Sequence, residues 1–405
     1  MKRVVITGAG CITAIGCDVA GFGKNLFAGQ SGIRVATEWS PDLRFTRGGL
    51  VPDFRANDWL TSAQRPIAER SAAFAIAAAR QAVAQSGLTT AHPRDAIALI
   101  FGCSASGRST DEQEAKLYTP GSRVHPLTVP RSMGSAGVSL VSMEHGITGP
   151  AYTISTACAS GAHAIGQAFH LLRSGAVRAA LAGAHEAPFN MGFLKAWDSL
   201  RVVSPTACRP FAADRDGMTL GEGATVFALE TLETAQARGA EILGEIAGFG
   251  MNSDAHHITQ PDPAGPAAAV LLALADAHAT PADVGYVNAH GTGTEFNDRV
   301  EAEALYRVFG EQARTLPVSS TKGLHGHAMG ASGAMELLAT LLALRAGMLP
   351  ANAILAEAGP FVLDAGLGLD HVLRENEPAS PALALSNSFA FGGLNAVLAV
   401  RRVDA

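Results

Sequence analysis

Short apolar runs rich in β-branched residues alternate along this chain with long alanine-rich segments of helical period, and no other feature restricts the fold as much. The runs fall at residues 4–7, 97–101, 181–183, 225–229, 285–288 and 383–386; the helical segments are clearest at 71–86, 161–174, 263–278, 298–309 and 333–346. Such alternation predicts an α/β fold whose strands are buried on both faces and mostly parallel. With only 6% aromatic and 16% charged residues, the core must be built from small and aliphatic side chains in close contact. At 405 residues the chain has room for two or three ordinary domains, or for one large unit made of two halves.

An internal echo favours two halves. Cys158 is followed by "ASGAHAIGQAFHLL" and Gly330 by "ASGAMELLATLLAL", so the same Ala-Ser-Gly-Ala opens an apolar helix in each half. Four small residues recur by chance in so alanine-rich a chain, but with the repeated strand–helix alternation they point to similar halves joined near residues 239–250. The glycines of "TGAGCITAIG" raise a dinucleotide-binding alternative. The third glycine of that fingerprint is missing, because Thr13 stands in its place.

The formal net charge of −6 and the lack of long basic runs argue against nucleic-acid binding. Five scattered cysteines do not read as a disulfide framework, so a reducing, cytoplasmic setting is expected. "MKRVVITGAG" reads as a first strand rather than a leader, because glycine and threonine interrupt its apolar run. The most apolar later stretches, 267–275 and 337–344, fall well short of the ~20 residues of a membrane span, so none is expected.

Chemistry concentrates at Cys158. In "TISTACASGAHAIG" a strand runs through a turn of small residues into a helix whose first turn begins close to the sulfur. Unpaired N–H groups and the positive helix end at such a place lower a thiol pKa, and the small neighbours leave room for a substrate. From this segment alone, a buried and inert cysteine is the commoner outcome. Two further segments bear on the choice. "VNAHGTGTEFNDRVEAEAL" puts His290 in an unobstructed Gly/Thr loop after a strand, and "SSTKGLHGHAMGASGAMEL" puts Lys322, His325 and His327 before the second echoing helix. A loop histidine held by hydrogen bonds is the alternative for each, while no HExxH or CxxC spacing supports a metal.

Taken together, "TACASG", "CRPFAADRDGMTLGEGA", "NAHGTGT…ND", "STKGLHGHAMGASGAME" and "SNSFAFGGLNA", in this order, resemble the β-ketoacyl-acyl carrier protein synthases of the condensing-enzyme, thiolase-like superfamily. The resemblance runs over essentially the whole chain. It implies a thiolase-like five-layered αβαβα sandwich with two duplicated halves: 1–245 carrying the nucleophilic cysteine, 246–405 carrying the two histidines and the lysine. It implies decarboxylative Claisen condensation of a Cys158-bound acyl group with malonyl-acyl carrier protein. No cofactor is bound by the enzyme, since phosphopantetheine arrives on the carrier; a homodimer is implied as well.

The resemblance also assigns roles. His290 and His327 stabilise the enolate formed on decarboxylation, and the backbone N–H groups of Cys158 and Phe391 form the oxyanion hole. Lys322 and Glu336 support the histidines, Asp298 and Glu301 stand behind the His290 loop, Thr292 and Thr294 bind the phosphopantetheine arm, and His257 and Thr259 line the tunnel mouth. For Asp298 and Glu301, helix capping or a salt-bridged face is an equal alternative. Arg123 and Arg209 match carrier-docking positions, with Arg70 or Arg131 as additions to a basic rim.

The chain departs from the family pattern at four positions. Ala390 and Leu394 replace a glycine and a threonine of the C-terminal motif. Ala105 stands where a larger apolar residue limits the acyl pocket, and Thr128 where an aromatic crosses the dimer. These predict a roomier pocket for long, branched or polyunsaturated chains, and local segments lean towards specialised products such as nodulation-factor acyl chains or polyenes. Among other readings, a thiolase lacks its second cysteine here, since none follows Cys208. The Cys-His-Asn enzymes do not match His327, and a cysteine hydrolase leaves the second histidine and the lysine unexplained. A chain-length-factor-like partner subunit, non-catalytic, is the alternative of a different class.

Overall fold

A computed structural model describes residues 2–105, 118–352 and 359–403. Ten strands form the main sheet: β1 (Val4–Thr13), β2 (Ile97–Gly102), β3 (Ala151–Ile154), β4 (Ala179–Glu186), β5 (Gly223–Thr231), β6 (Gly244–Ser253), β7 (Val284–Asn288), β8 (Val318–Ser319), β9 (Leu383–Ala390) and β10 (Leu394–Arg401). Their spatial order is β8-β7-β9-β10-β6-β1-β5-β4-β2-β3. Counted within each half, both read third-second-fourth-fifth-first. Both halves also share their strand directions: β2 is parallel to β3 and β4 just as β7 is parallel to β8 and β9, and the remaining pairs are antiparallel.

The sheet is therefore mixed, not mostly parallel as the sequence suggested. A strand buried on both faces has the same apolar run whichever way its neighbour points, so direction is not written in composition. Strands β6 and β10 escaped the sequence reading because glycines interrupt "GEIAGFGMNS" and β10 follows the C-terminal turn directly.

Seven of the helices among the described residues matter for the layers and the site: α1 (Arg70–Ser86), α2 (Ala136–His145), α3 (Ser160–Ser174), α4 (Met191–Leu200), α5 (Ala264–Asp276), α6 (Glu295–Phe309) and α7 (Ser332–Ala346). Helices α1 and α2 cover the outer face of the N-terminal half-sheet, and α5 and α6 that of the C-terminal one. Between the half-sheets lie α3 and α7, the two echoing helices, in a core of alanine and leucine. This is the αβαβα sandwich. None of the described helices is long and apolar enough to cross a membrane.

The layers meet at glycines. A Cβ on Gly8 or Gly10 would fall 2.6 or 2.1 Å from carbonyl oxygens of α1, so the glycines of "TGAG" let a helix lie on β1 and have no phosphate to cradle. At the centre, a Cβ on Gly161 would meet the Gly330 carbonyl at 2.9 Å and one on Gly333 the Ala162 nitrogen at 3.0 Å. The repeated Ala-Ser-Gly-Ala thus lets the starts of α3 and α7 pack against each other.

Candidate active site

The turns before α3 and α7 share one unusual backbone feature. Ala157 has φ 47 and Met329 φ 46, left-handed values that a side chain disfavours, and each is followed by the corresponding residue of the echo, Cys158 or Gly330. Ser160 clamps the first turn: its hydroxyl donates to the Ala157 carbonyl (2.6 Å) and accepts the Thr156 N–H (2.8 Å). Cys158 is thereby presented just ahead of α3, buried at 8% exposure in the wall of a cavity of about 260 Å³.

His327 reaches it from the other half, with Nε2 3.1 Å from Cys158 Sγ. Its ring is oriented by Ser332 Oγ, 2.7 Å from Nδ1. Its backbone is tied to the Cys208–Ala224 motif, donating to the Thr219 carbonyl (2.6 Å) and accepting from Gly221 N–H (2.8 Å). His290 stands edge-on to His327, ring centres 5.4 Å apart. Lys322 Nζ donates to the His290 carbonyl and lies 3.3 Å from its Nδ1, which leaves the Nε2 side of that ring as its N–H donor. Lys322 is paired with Glu336, both fully buried, while the second Glu336 oxygen has no partner among the described residues.

The His290 loop is held by carboxylates at its back. Glu301 accepts the N–H groups of His290 (2.8 Å) and Gly291 (2.7 Å), and Asp298 those of Phe211 (2.7 Å) and Gly293 (3.2 Å). Gly291 and Gly293 take the positive φ values this loop needs. Both acids are fully buried behind the loop, where Asp298 also faces Arg215 at 3.8 Å, so neither belongs to a solvated surface face. Asn387, which the sequence reading passed over, adds a bond to Glu301 at 3.1 Å from β9.

Electrostatics correct one expectation. The Cys158 thiol is not acidified: burial pushes it up to about 12, although the Lys322 ammonium pulls it down. Helix-start N–H groups cannot offset the loss of water around a thiolate here. Burial, reinforced by Lys322, holds both His290 and His327 well below the ordinary 6.5, so both are neutral. Burial likewise raises the Glu336 carboxyl to about 7 against the opposing pull of Lys322. Cys158, His290 and His327 present donor atoms within 4.8 Å of one another, the donor set of a soft-metal site. The ammonium fixed against His290 opposes a dication there, whereas neutral imidazoles suit a developing oxyanion.

The sequence-predicted residues otherwise divide clearly. Thr292 and Thr294, their hydroxyls 2.8 Å apart, line the Cys158 cavity with His257, Thr259 and Phe391. Ala390 lines it too, with an ordinary strand backbone; the left-handed positions of the turn fall on Gly392 and Gly393. Ala105 does not line it: its N–H donates to Glu186 (3.0 Å), so it caps a buried carboxylate instead. Thr128, whose hydroxyl donates to the His125 carbonyl, also lies off this cavity.

Arg209 is no docking residue. It is 4% exposed, paired with Asp214 (3.1 Å) and donating to the Pro360 carbonyl (2.6 Å), so it fastens loops from inside. Arg70 and Arg131 are engaged with Glu222 and Glu69, and Arg123 is exposed. Trp197, which sequence reasoning missed, fills part of the cavity wall; an indole at the end of an amphipathic helix carries no signal that separates core from site.

Known proteins match this arrangement from end to end. Residues 1–235 fit the family model for the β-ketoacyl synthase N-terminal domain and residues 243–355 that for its C-terminal domain. The chain belongs to the β-ketoacyl synthase family. As such it is a carbon–carbon bond-forming acyltransferase. It is 40% identical over 408 residues to Nodulation protein E of a Rhizobium species, covering 99% of this chain and 100% of the relative. It is 37% identical over 413 residues to the 3-oxoacyl-[acyl-carrier-protein] synthase 2 of a Synechocystis species, covering 99% and 98%. Among solved structures, the ishigamide ketosynthase/chain length factor superposes with a TM-score of 0.91 at 31% identity, covering all of both chains.

Proposed function

We propose that this ketoacyl synthase carries its acyl group on Cys158 and extends it with malonyl-acyl carrier protein, in fatty-acid or specialised chain elongation. The observation that carries this reading is the 3.1 Å approach of His327 Nε2 to a thiol whose cavity also holds His290, Thr292 and Thr294. Residues 1–245 act as the half that supplies the nucleophile and 246–405 as the half that supplies the histidines and the lysine.

In the first half-reaction the thiol of Cys158 attacks the acyl thioester while His327 Nε2 takes its proton and returns it to the departing pantetheine thiolate. One thioester replaces another, so no net energy source is needed. The backbone N–H groups of Cys158 and Phe391 receive the tetrahedral oxyanion. Malonyl-carrier protein then enters. Its carboxylate leaves as CO₂, and the electron pair moves onto the thioester oxygen, which accepts from the Nε2–H of neutral His290; neutral His327 donates there too in the tautomer with its hydrogen on Nε2, in which the Ser332 hydroxyl donates to Nδ1. The enolate carbon attacks the acyl-Cys158 carbonyl, and collapse expels the Cys158 thiolate, which recovers a proton from solvent. Lys322, paired with Glu336, fixes His290.

Thr292 and Thr294 hold the pantetheine amides, and the phosphopantetheine comes with the acidic carrier, for which exposed Arg123 is a docking cation. A homodimer forms along β3, the last strand of its sheet, where Tyr152 and Met143 are exposed beside a cavity of about 690 Å³. Five free cysteines suit a reducing, cytoplasmic setting.

Incubation with a panel of acyl-carrier proteins should add the acyl mass to Cys158, and malonyl-carrier protein should then yield a product two carbons longer. Loading without extension would identify a transferase or partner subunit; extension by a Cys158→Ala variant would remove the mechanism.

A further inference from the structure

Asp298 and Glu301 stand one turn apart on α6 and divide the loop in front of them. Glu301 holds the N–H groups of His290 and Gly291, the end that carries the imidazole, while Asp298 holds that of Gly293, between Thr292 and Thr294. Both carboxylates are fully buried, but their surroundings differ. Against Glu301 lies the neutral Asn387 amide, at 3.1 Å; against Asp298 lies a guanidinium, with Arg215 Nε 3.8 Å from its Oδ2. An isolated buried carboxylate is costly, and Arg215 offsets that cost at the Asp298 end.

Arg215 is itself locked in place. Its side chain is 5% exposed, and its Nη1 donates to the Ala212 carbonyl and to the Asp364 carboxylate, each at 2.7 Å. The stretch that carries it pairs with residues 362–364, through Ala213 N–H to the Val362 carbonyl (2.8 Å) and Asp364 N–H to the Phe211 carbonyl (3.0 Å). Phe211 has φ 64, a strained value for a residue with a side chain, and Asp298 Oδ2 fixes it by accepting its N–H. The Phe211 ring lies against Gly291, 3.1 Å from where a Cβ there would be. One carboxylate thus ties the strained Phe211 turn to the Gly/Thr loop, and one guanidinium compensates it.

Resting on the reading that Thr292 and Thr294 hold the pantetheine amides, we propose that Arg215 is a positioning residue for the carrier-borne substrate: by balancing the Asp298 charge it lets that carboxylate hold Gly293, and so sets the two threonines. It touches no reacting atom. His290 is held separately by Glu301 and Lys322, so loss of Arg215 weakens binding of the arm more than it slows the chemistry. A protonated Asp298 would turn an O–H of its own towards the Phe211 or Gly293 N–H and lose one of those bonds. Burial pushes this carboxyl up, while the Phe211, Asn297 and Gly293 bonds and the Arg215 charge pull it down; removing the guanidinium therefore moves its titration towards neutral pH. The other ionisable groups around it are Glu301 on the same helix, the Cys208 thiol, which burial pushes up to about 12, and Asp364 on the far side of Arg215.

The test measures condensation by the intact enzyme at varied malonyl-carrier protein from about pH 6 to 9, in the wild type and in Arg215→Met, Arg215→Gln and Arg215→Lys. In Arg215→Met and Arg215→Gln, KM should stand about ten-fold above wild type near pH 6, the worth of one hydrogen bond to a charged group, and return to within about two-fold near pH 9, with kcat changed less than about three-fold throughout. Arg215→Lys restores the charge and should keep KM flat. Arg215→Gln keeps a donor for the Ala212 carbonyl and decides the case if Arg215→Met folds poorly. A KM in Arg215→Gln that matches the wild type at every pH, one raised equally at every pH, a fall in kcat alone, or the same profile in Arg215→Lys overturns the proposal while leaving condensation intact. Thr292→Val should raise KM at every pH; if it does not, the pantetheine reading fails, and if the wild type loads no acyl group, the functional reading itself does.

Discussion

The turns at Ala157–Cys158 and Met329–Gly330 are the same piece of backbone used twice. Both have a left-handed residue, both run into Ala-Ser-Gly-Ala, and both start a helix of the central layer. Yet the first turn presents a thiol and the second has no side chain at all. The serines differ in the same way: Ser160 bonds only its own turn, whereas Ser332 holds the ring of His327. Duplication built a symmetric frame, and the proposed chemistry divides across it, with the Cys158 thiol on one half and His290, Lys322 and His327 on the other. A site assembled this way closes only when both halves are packed.

That asymmetry can be broken most sharply at its centre. Cys158→Ala should abolish acyl loading and cut extension by at least about a thousand-fold, with little change in the thermal midpoint, because a small residue already suits the turn. Gly330→Ala should do the reverse. Its new Cβ would lie 2.7 Å from Ser104 N and 2.9 Å from Glu186 Oε2, so stability should fall by about 1–3 kcal/mol in denaturant titration while Cys158 still loads.

On the catalytic side of the C-terminal half, His290→Ala and His327→Ala should each slow malonyl decarboxylation about a hundred- to a thousand-fold, measured as CO₂ release. Loss of His327 should also slow acylation; loss of His290 should spare it. If both variants slow acylation equally, the division of labour between the two rings is wrong.

The Lys322–Glu336 pair gives a smaller effect on catalysis but the largest on folding. Lys322→Met strands a buried carboxylate and should cost about 3–5 kcal/mol; adding Glu336→Leu should recover most of that stability but not the condensation rate.

The smallest effect is on pH. Because burial and Lys322 lower the pKa values of His290 and His327 well below 6.5, both rings are neutral around neutral pH. Decarboxylation should therefore be flat from about pH 6 to 8, with no inflection at an ordinary histidine pKa. With the Cys158 thiol pushed up to about 12, its alkylation by iodoacetamide should keep rising with pH through about 10 without a plateau. A plateau near neutrality would mean that the thiolate is preformed.

Much of this could be read from residues alone. Five of the helices appear within a few residues of their predicted spans, because alanine-rich segments with apolar period have little alternative. The strand–turn–helix around Cys158 and the Gly/Thr loop of His290 are local patterns and survive intact. Arg209 shows where such reading stops: an arginine in a motif looks like a docking cation until the chain closes over it with Asp214 and Pro360. Ala105 was expected to open the acyl pocket, but it does not line the Cys158 cavity, and its N–H donates to Glu186. Trp197 gave no sign because Phe391, on which its ring stacks, lies 194 positions away, across the boundary between halves.

The sequence by itself determined the α/β alternation, the duplicated helix start and the set of residues able to do thioester chemistry, since each rests on neighbours a few positions apart. Only the tertiary structure decided the rest. His327 meets Cys158 across 169 residues, the strand directions follow from which edges are free to pair, and the thiol is raised because packing removes water from around it. Proximity and burial belong to the closed fold, and they turn a small-residue turn into a site for acyl transfer.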